Sequence, residues 1–116
     1  MSSFSVETIT DPQGRYAVLR TSGYINSLGA EQIEREIERL IAQRYENFVI
    51  NFAASPIINS MGLSILIGVI ERTIEVQGRL FFSNLTEVNA ETMEIMGLTQ
   101  FAQIVPTEEE ARAQLG

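Results

Sequence analysis

The sequence predicts an α/β domain built on a mixed β-sheet with an N-terminal hairpin, in the order β-β-α-β-α-β-α-β-α. Two observations carry this. Alternating segments flank a turn sequence at the start of the chain, and from residue 33 onward stretches with helical apolar spacing alternate with short apolar runs. No Pro/Gly/Ser linker, low-complexity tract or long-period repeat interrupts the 116 residues, so 1–116 reads as a single domain.

Phe4 to Thr10 alternates apolar and polar residues, Asp11-Pro12-Gln13-Gly14 is a turn sequence, and Tyr16 to Thr21 returns as the second strand. Ile33, Ile37, Leu40, Ile41 and Arg44 then follow the spacing of one buried helix face. Phe48-Val49-Ile50-Asn51-Phe52 is short and mostly apolar and reads as a buried strand. A second helix is expected from about Ser60 to Val76, followed by a strand at Arg79 to Ser83. Thr86 can cap a third helix that runs to about Met96 and stops at Gly97. Gln103-Ile104-Val105 makes a last short strand, and Thr107-Glu108-Glu109-Glu110 is a capping box that opens a terminal helix. Strands joined through helices imply parallel pairs, with the hairpin supplying an antiparallel edge.

Composition excludes much chemistry. The chain has no Cys, His, Trp or Lys, and all eight of its basic residues are Arg. Disulfides, thiolate metal sites, the usual neutral-pH general base and Schiff-base chemistry are therefore absent. No cofactor or metal is expected. A net charge of −7 makes the chain a poor ligand for nucleic acid and for anionic membrane surfaces. No apolar run is long enough to span a bilayer, and the first residues lack the basic and apolar segments of a signal peptide, so a cytoplasmic protein is expected.

One pattern occurs twice. Ile25-Asn26-Ser27-Leu28-Gly29 and Ile58-Asn59-Ser60-Met61-Gly62 both fall between a strand and a helix. In a parallel sheet both loops emerge at the end where α/β sheets place their sites; alternatively, Asn and Ser are simply good helix caps. The second helix carries a buried stripe at Leu63, Leu66, Ile67, Ile70 and Ile74. A second stripe at Met61, Ile65, Val69, Arg72 and Val76 is apolar in its first half. That half lies either under a neighbouring helix or open as a patch beside Ser60. Gly62 and Gly68 each weaken the helix by ~1 kcal/mol relative to Ala, which points to close packing or close approach.

Val49-Ile50-Asn51-Phe52 followed by Ile57-Ile58-Asn59-Ser60-Met61-Gly62-Leu63 resembles the strand and signature loop of STAS domains (sulphate transporter and anti-sigma factor antagonist). The resemblance extends over Gly23 to Glu31, over Gly78 to Leu85, and over Met96-Gly97-Leu98 with Phe101 and Ile104. It implies the STAS-like fold and, by analogy with regulatory members, an anti-sigma factor antagonist. In such a switch the serine after the signature Asp is phosphorylated by an anti-sigma factor that is itself a serine kinase, and a metal-dependent phosphatase of the PP2C type resets it. The matching serine is Ser60, and the partner-binding set implied is Asn26, Ser27, Asn59, Ser60, Met61, Gly62 and Ile65. Asn59 stands where phosphorylated members usually carry Asp; it can cap the helix but bears no charge. The alternative is a STAS subunit without a phosphate cycle, binding an ABC-type transporter ATPase or a sensory, stressosome-like assembly. A hydrolase built on Ser60 would lack His, Lys and Cys as base; the one Asp is Asp11 in the hairpin turn, which leaves a Glu carboxylate, and no Glu precedes Ser60 closely.

Overall fold

The computed structural model describes residues 3–116. Strands β1 (Ser5–Thr10) and β2 (Ala17–Ser22) form the expected antiparallel hairpin. Helix α1 (Ser27–Ala42), β3 (Phe48–Ala54), α2 (Ser60–Glu75), β4 (Leu80–Ser83), α3 (Glu87–Ile95), β5 (Gln103–Val105) and α4 (Glu108–Leu115) follow. The sheet order is β1-β2-β3-β4-β5, and every pair after the hairpin is parallel. The element order is the one expected, with ends shifted by a residue or so. The one addition is a 3-10 turn at Leu98–Gln100, entered through Gly97 at φ +78.

Strand alternation divides the core into two layers. Leu19, Phe48, Ile50, Phe52, Leu80 and Phe82 face one side, where Ile33, Ile37 and Leu40 of α1, Leu66, Val69 and Ile70 of α2 and Met93 of α3 cover them. Phe52 and Phe82 meet edge to face, with ring centroids 5.4 Å apart. Tyr16, Val18, Val49, Phe81 and Val105 face the other side and are closed by Ala111 of α4. At Gly68 α2 faces α1, and a Cβ there would meet only the end of the Glu34 side chain, at 2.7 Å.

The structure ends α1 at Ala42, so Arg44, exposed and at φ +78, lies past the helix and off its buried face. It also corrects the stripe reading of α2 at one end. Ile74 is half-exposed, and Thr73 takes the inward position three residues after Ile70. Its hydroxyl donates to the Val69 carbonyl at 3.0 Å, which satisfies it inside the core. Among the described residues no helix is long and apolar enough to cross a membrane.

Candidate functional site at the two strand-to-helix junctions

Because β2 and β3 are parallel, they end at the same edge of the sheet, and the loops that follow them lie side by side. Main-chain bonds join the loops: Gly23 N–H donates to Ala54 O at 2.9 Å, Ile25 N–H to Ile57 O at 3.0 Å, and Asn59 N–H to Ile25 O at 3.0 Å. Ile25 and Ile58 form an isolated parallel bridge. Beneath them the Thr21 hydroxyl donates to the Ser55 hydroxyl at 2.8 Å, where both residues are buried. This buried polar pair ties the end of β2 to the start of the β3–α2 loop.

The repeated pentapeptide has the same local geometry twice. The Asn26 side-chain oxygen accepts from Gly29 N–H at 3.0 Å, and that of Asn59 from Gly62 N–H at 2.8 Å, so each Asn caps its helix. Ser27 and Ser60 are the first residues of α1 and α2. Each glycine is a point of close approach. A Cβ on Gly62 would sit 2.7 Å from Ile25 O and 3.2 Å from Asn26 O, and one on Gly29 would sit 3.1 Å from the Phe4 ring. Gly62 is therefore what lets the start of α2 reach the first loop.

The surface so assembled is part hydroxyl and part apolar. Ser60 is exposed, whereas Ser27, Asn26 and Asn59 are half-buried and Gly62 is buried. Tyr24, Leu28, Ile57 and Met61 are exposed large apolar residues contributed by the two junctions, Met61 to 61%. Ile65, one turn further along α2, is half-buried and packs on the core. The second stripe of α2 is thus open at Met61, partly covered at Ile65 and sealed at Val69. Its neighbours decide this, which is why helical spacing alone left both readings open.

Electrostatics set these junctions apart. Neither α1 nor α2 has an acidic residue in its first turn, while α3 opens with Glu87 and α4 with Glu108, Glu109 and Glu110. In a chain of net charge −7, the positive ends of these two helix dipoles are left uncompensated at the exposed edge.

A second polar constellation escaped the sequence reading. Arg20, Asn51 and Ser83 are register neighbours on β2, β3 and β4, on the face that α4 covers. Glu108 of α4 accepts two bonds from the Arg20 guanidinium at 2.9 Å, one from Asn51 Nδ2 at 3.0 Å and one from Arg112 at 3.1 Å. Hydrogen bonding from Arg20 outweighs burial and, with Asn51 and the charge of Arg112 adding to it, lowers the Glu108 carboxyl to about 2. From sequence Glu108 looked like one acid among three in a capping box. Arg112 is four residues on, but Asn51 and Arg20 lie 57 and 88 residues away, and only folding brings them there. Among the described residues no group of three or more acidic side chains is placed to hold a metal ion.

The pattern of the STAS domain family matches residues 5–111. An anti-sigma factor antagonist from Mycobacterium paratuberculosis is similar in structure, with a TM-score of 0.81 at 21% identity over 97% of this chain and 94% of that one. The Bacillus cell fate determinant SpoIIAA in its phosphorylated form gives a TM-score of 0.74 at 24% identity, covering 98% of this chain and 100% of that chain. The anti-sigma factor antagonist SpoIIAA in its unphosphorylated form gives 0.69 at 22% identity, covering 97% and 96%. At these identities the likeness speaks for the fold. A comparison with curated proteins gives no match.

Proposed function

This chain belongs to the STAS domain family, and from that premise we propose that it is an anti-sigma factor antagonist: a protein-interaction switch that docks a serine-kinase anti-sigma factor and is edited at Ser60. The observation that carries the reading is the position of Ser60. Its residue is exposed, it opens a helix whose first turn has no acid, and Tyr24, Leu28, Ile57 and Met61 present apolar surface from the same two junctions. The structural relatives named above, SpoIIAA in phosphorylated and unphosphorylated forms among them, support it.

The physics of such a switch is simple. A phosphate at the first turn of α2 meets the positive end of the helix dipole, worth roughly 0.3–1 kcal/mol, so the fold tolerates it. The same dianion pressed into an interface without a cationic partner is desolvated at a cost of several kcal/mol, and about 1.4 kcal/mol is tenfold in affinity. One modification therefore leaves the domain folded and releases the partner. A metal-dependent phosphatase of the PP2C type would restore the binding form.

Asn59 favours a second reading. Its side-chain oxygen is committed to Gly62 N–H, and it offers no carboxylate beside the Ser60 hydroxyl. A STAS subunit that uses the same surface constitutively, on a transporter ATPase or in a sensory assembly, needs no such group. Incubation with the candidate kinase and ATP separates the two. A gain of about 80 Da that disappears in Ser60→Ala supports the switch. Stable binding with no added mass supports the constitutive subunit.

A further inference from the structure

Helix α3 presents a face that nothing in the chain covers. Met93 is its buried anchor, and at its base the Asn89 side chain donates to Pro56 O at 3.0 Å, which holds the helix against the β3–α2 loop. On the outward side two stripes run in parallel. Glu87, Glu91 and Glu94 follow the i, i+4, i+7 spacing of one stripe, and Val88, Thr92 and Ile95 follow it one position on. All six are exposed, Val88 to 71% and Ile95 to 78%.

Among the described residues the acidic stripe has no cation beside it, a state it shares with Glu31, Glu46, Glu71, Glu109 and Glu110 but in which it alone lines up three acids along one helix. Asp11, Glu36, Glu38 and Glu108 each lie within salt-bridge distance of an Arg, and α3 contains no Arg at all. Among the described residues none of Glu87, Glu91 and Glu94 has a cation within 4.0 Å, whereas Arg72 alone serves three glutamates between α1 and α2. An isolated surface acid is ordinary. Three in register beside exposed Val and Ile make a surface with both a charge requirement and an apolar one.

We infer that the outer face of α3 is a second docking surface, whose occupant is a cationic amphipathic helix of a partner protein. Arginine or lysine on that helix meets Glu87, Glu91 and Glu94, and its apolar stripe covers Val88 and Ile95. A second copy of this chain does not fit, because its own net charge is −7. A nine-residue helix is small for a stable interface by itself, so the contact is weak and adds to binding elsewhere. It does not depend on modification of Ser60.

The test uses the full chain and a labelled synthetic helix with leucine on one stripe and arginine on the adjoining one. A scrambled peptide of the same composition serves as control. The patterned helix binds more tightly than the scrambled one, and amide shifts cluster over residues 87–96. The triple variant Glu87→Gln/Glu91→Gln/Glu94→Gln weakens binding on the order of tenfold, as three exposed ion pairs would. Val88→Ser/Ile95→Ser weakens it as well, while both variants melt as the parent does. The inference is overturned if the scrambled peptide binds equally, which assigns the effect to overall charge. Shifts centred on 24–28 and 57–61, or an unchanged affinity in the triple variant, also overturn it. So does a dimer in sedimentation that Ile95→Ser dissolves.

Discussion

Two glycines on one helix, Gly62 and Gly68, should respond in opposite directions to the same substitution. In an exposed helix interior Gly→Ala stabilises by about 0.8–1 kcal/mol, because Ala has less backbone freedom to lose. At Gly68 the new Cβ meets only the end of the Glu34 side chain, which can swing away and give up a 4.0 Å contact with Arg72. That contact is worth a few tenths of a kcal/mol at most, so Gly68→Ala should stabilise by about 0.5 kcal/mol or more. At Gly62 the obstacle is main chain. The Cβ would stand 2.7 Å from Ile25 O, about 0.7 Å inside the 3.4 Å at which ordinary contact begins, with Asn26 O at 3.2 Å behind it. The first loop must then retreat, and the Asn59 N–H to Ile25 O bond that joins the junctions lengthens with it. Overpacking costs roughly 1–3 kcal/mol and the lost bond about 1 kcal/mol more, against a small helical gain so close to the N-terminus. Gly62→Ala should therefore destabilise by about 1–3 kcal/mol. With a urea dependence of about 1–3 kcal/mol/M, its midpoint falls by about 1 M while that of Gly68→Ala rises slightly. A Gly62→Ala midpoint at or above that of the parent would refute the close approach from which the site was built.

Other outcomes follow from the same geometry. The Glu108 carboxyl titrates near 2 in the folded chain instead of 4.5, so its contribution is complete above about pH 4.5 and is lost as pH falls toward 2. Glu108→Gln should remove on the order of 2 kcal/mol at neutral pH and flatten the loss of stability across that acid window, read by denaturation at successive pH values. Ser60→Asp should leave far-UV circular dichroism and melting nearly unchanged while weakening partner binding at least tenfold; early melting would mark the hydroxyl as structural. Met61→Glu should also fold normally and lose the partner, whereas Ile65→Glu should lower the melting temperature, since it carries a charge toward the core. Ser83→Ala should be neutral or stabilising by up to about 1 kcal/mol, because the buried Ser83 hydroxyl has no hydrogen-bond partner among the described residues; a marked loss in thermal denaturation would show that the hydroxyl is satisfied.

Much of this fold could be read along the chain. Thr86 and Thr107 cap the helices they were expected to cap, Asn26 and Asn59 take the capping role that was one of their two readings, and Gly97 adopts the positive φ that ends α3. The strand at Gln103–Val105 falls where its three residues predicted it. Each of these features depends on residues within about four positions, so spacing and side-chain type suffice to specify it. The echo of Ile-Asn-Ser-x-Gly belongs to the same class, since it marked both junctions before any contact was known.

The tertiary structure decided the rest. Spacing could not tell that Thr73 turns inward and Ile74 outward, or that a single helix stripe is open at Met61 and closed at Val69. Those outcomes depend on where α1 crosses α2 and where the sheet ends beneath them. Nor does any local signal pair Gly62 with the Ile25 carbonyl, or Glu108 with Arg20 and Asn51. Such contacts arise from the parallel register of β2, β3 and β4, which aligns residues dozens of positions apart. Periodicity specifies which way a side chain faces relative to its own element, and only the packing of elements determines what that side chain meets.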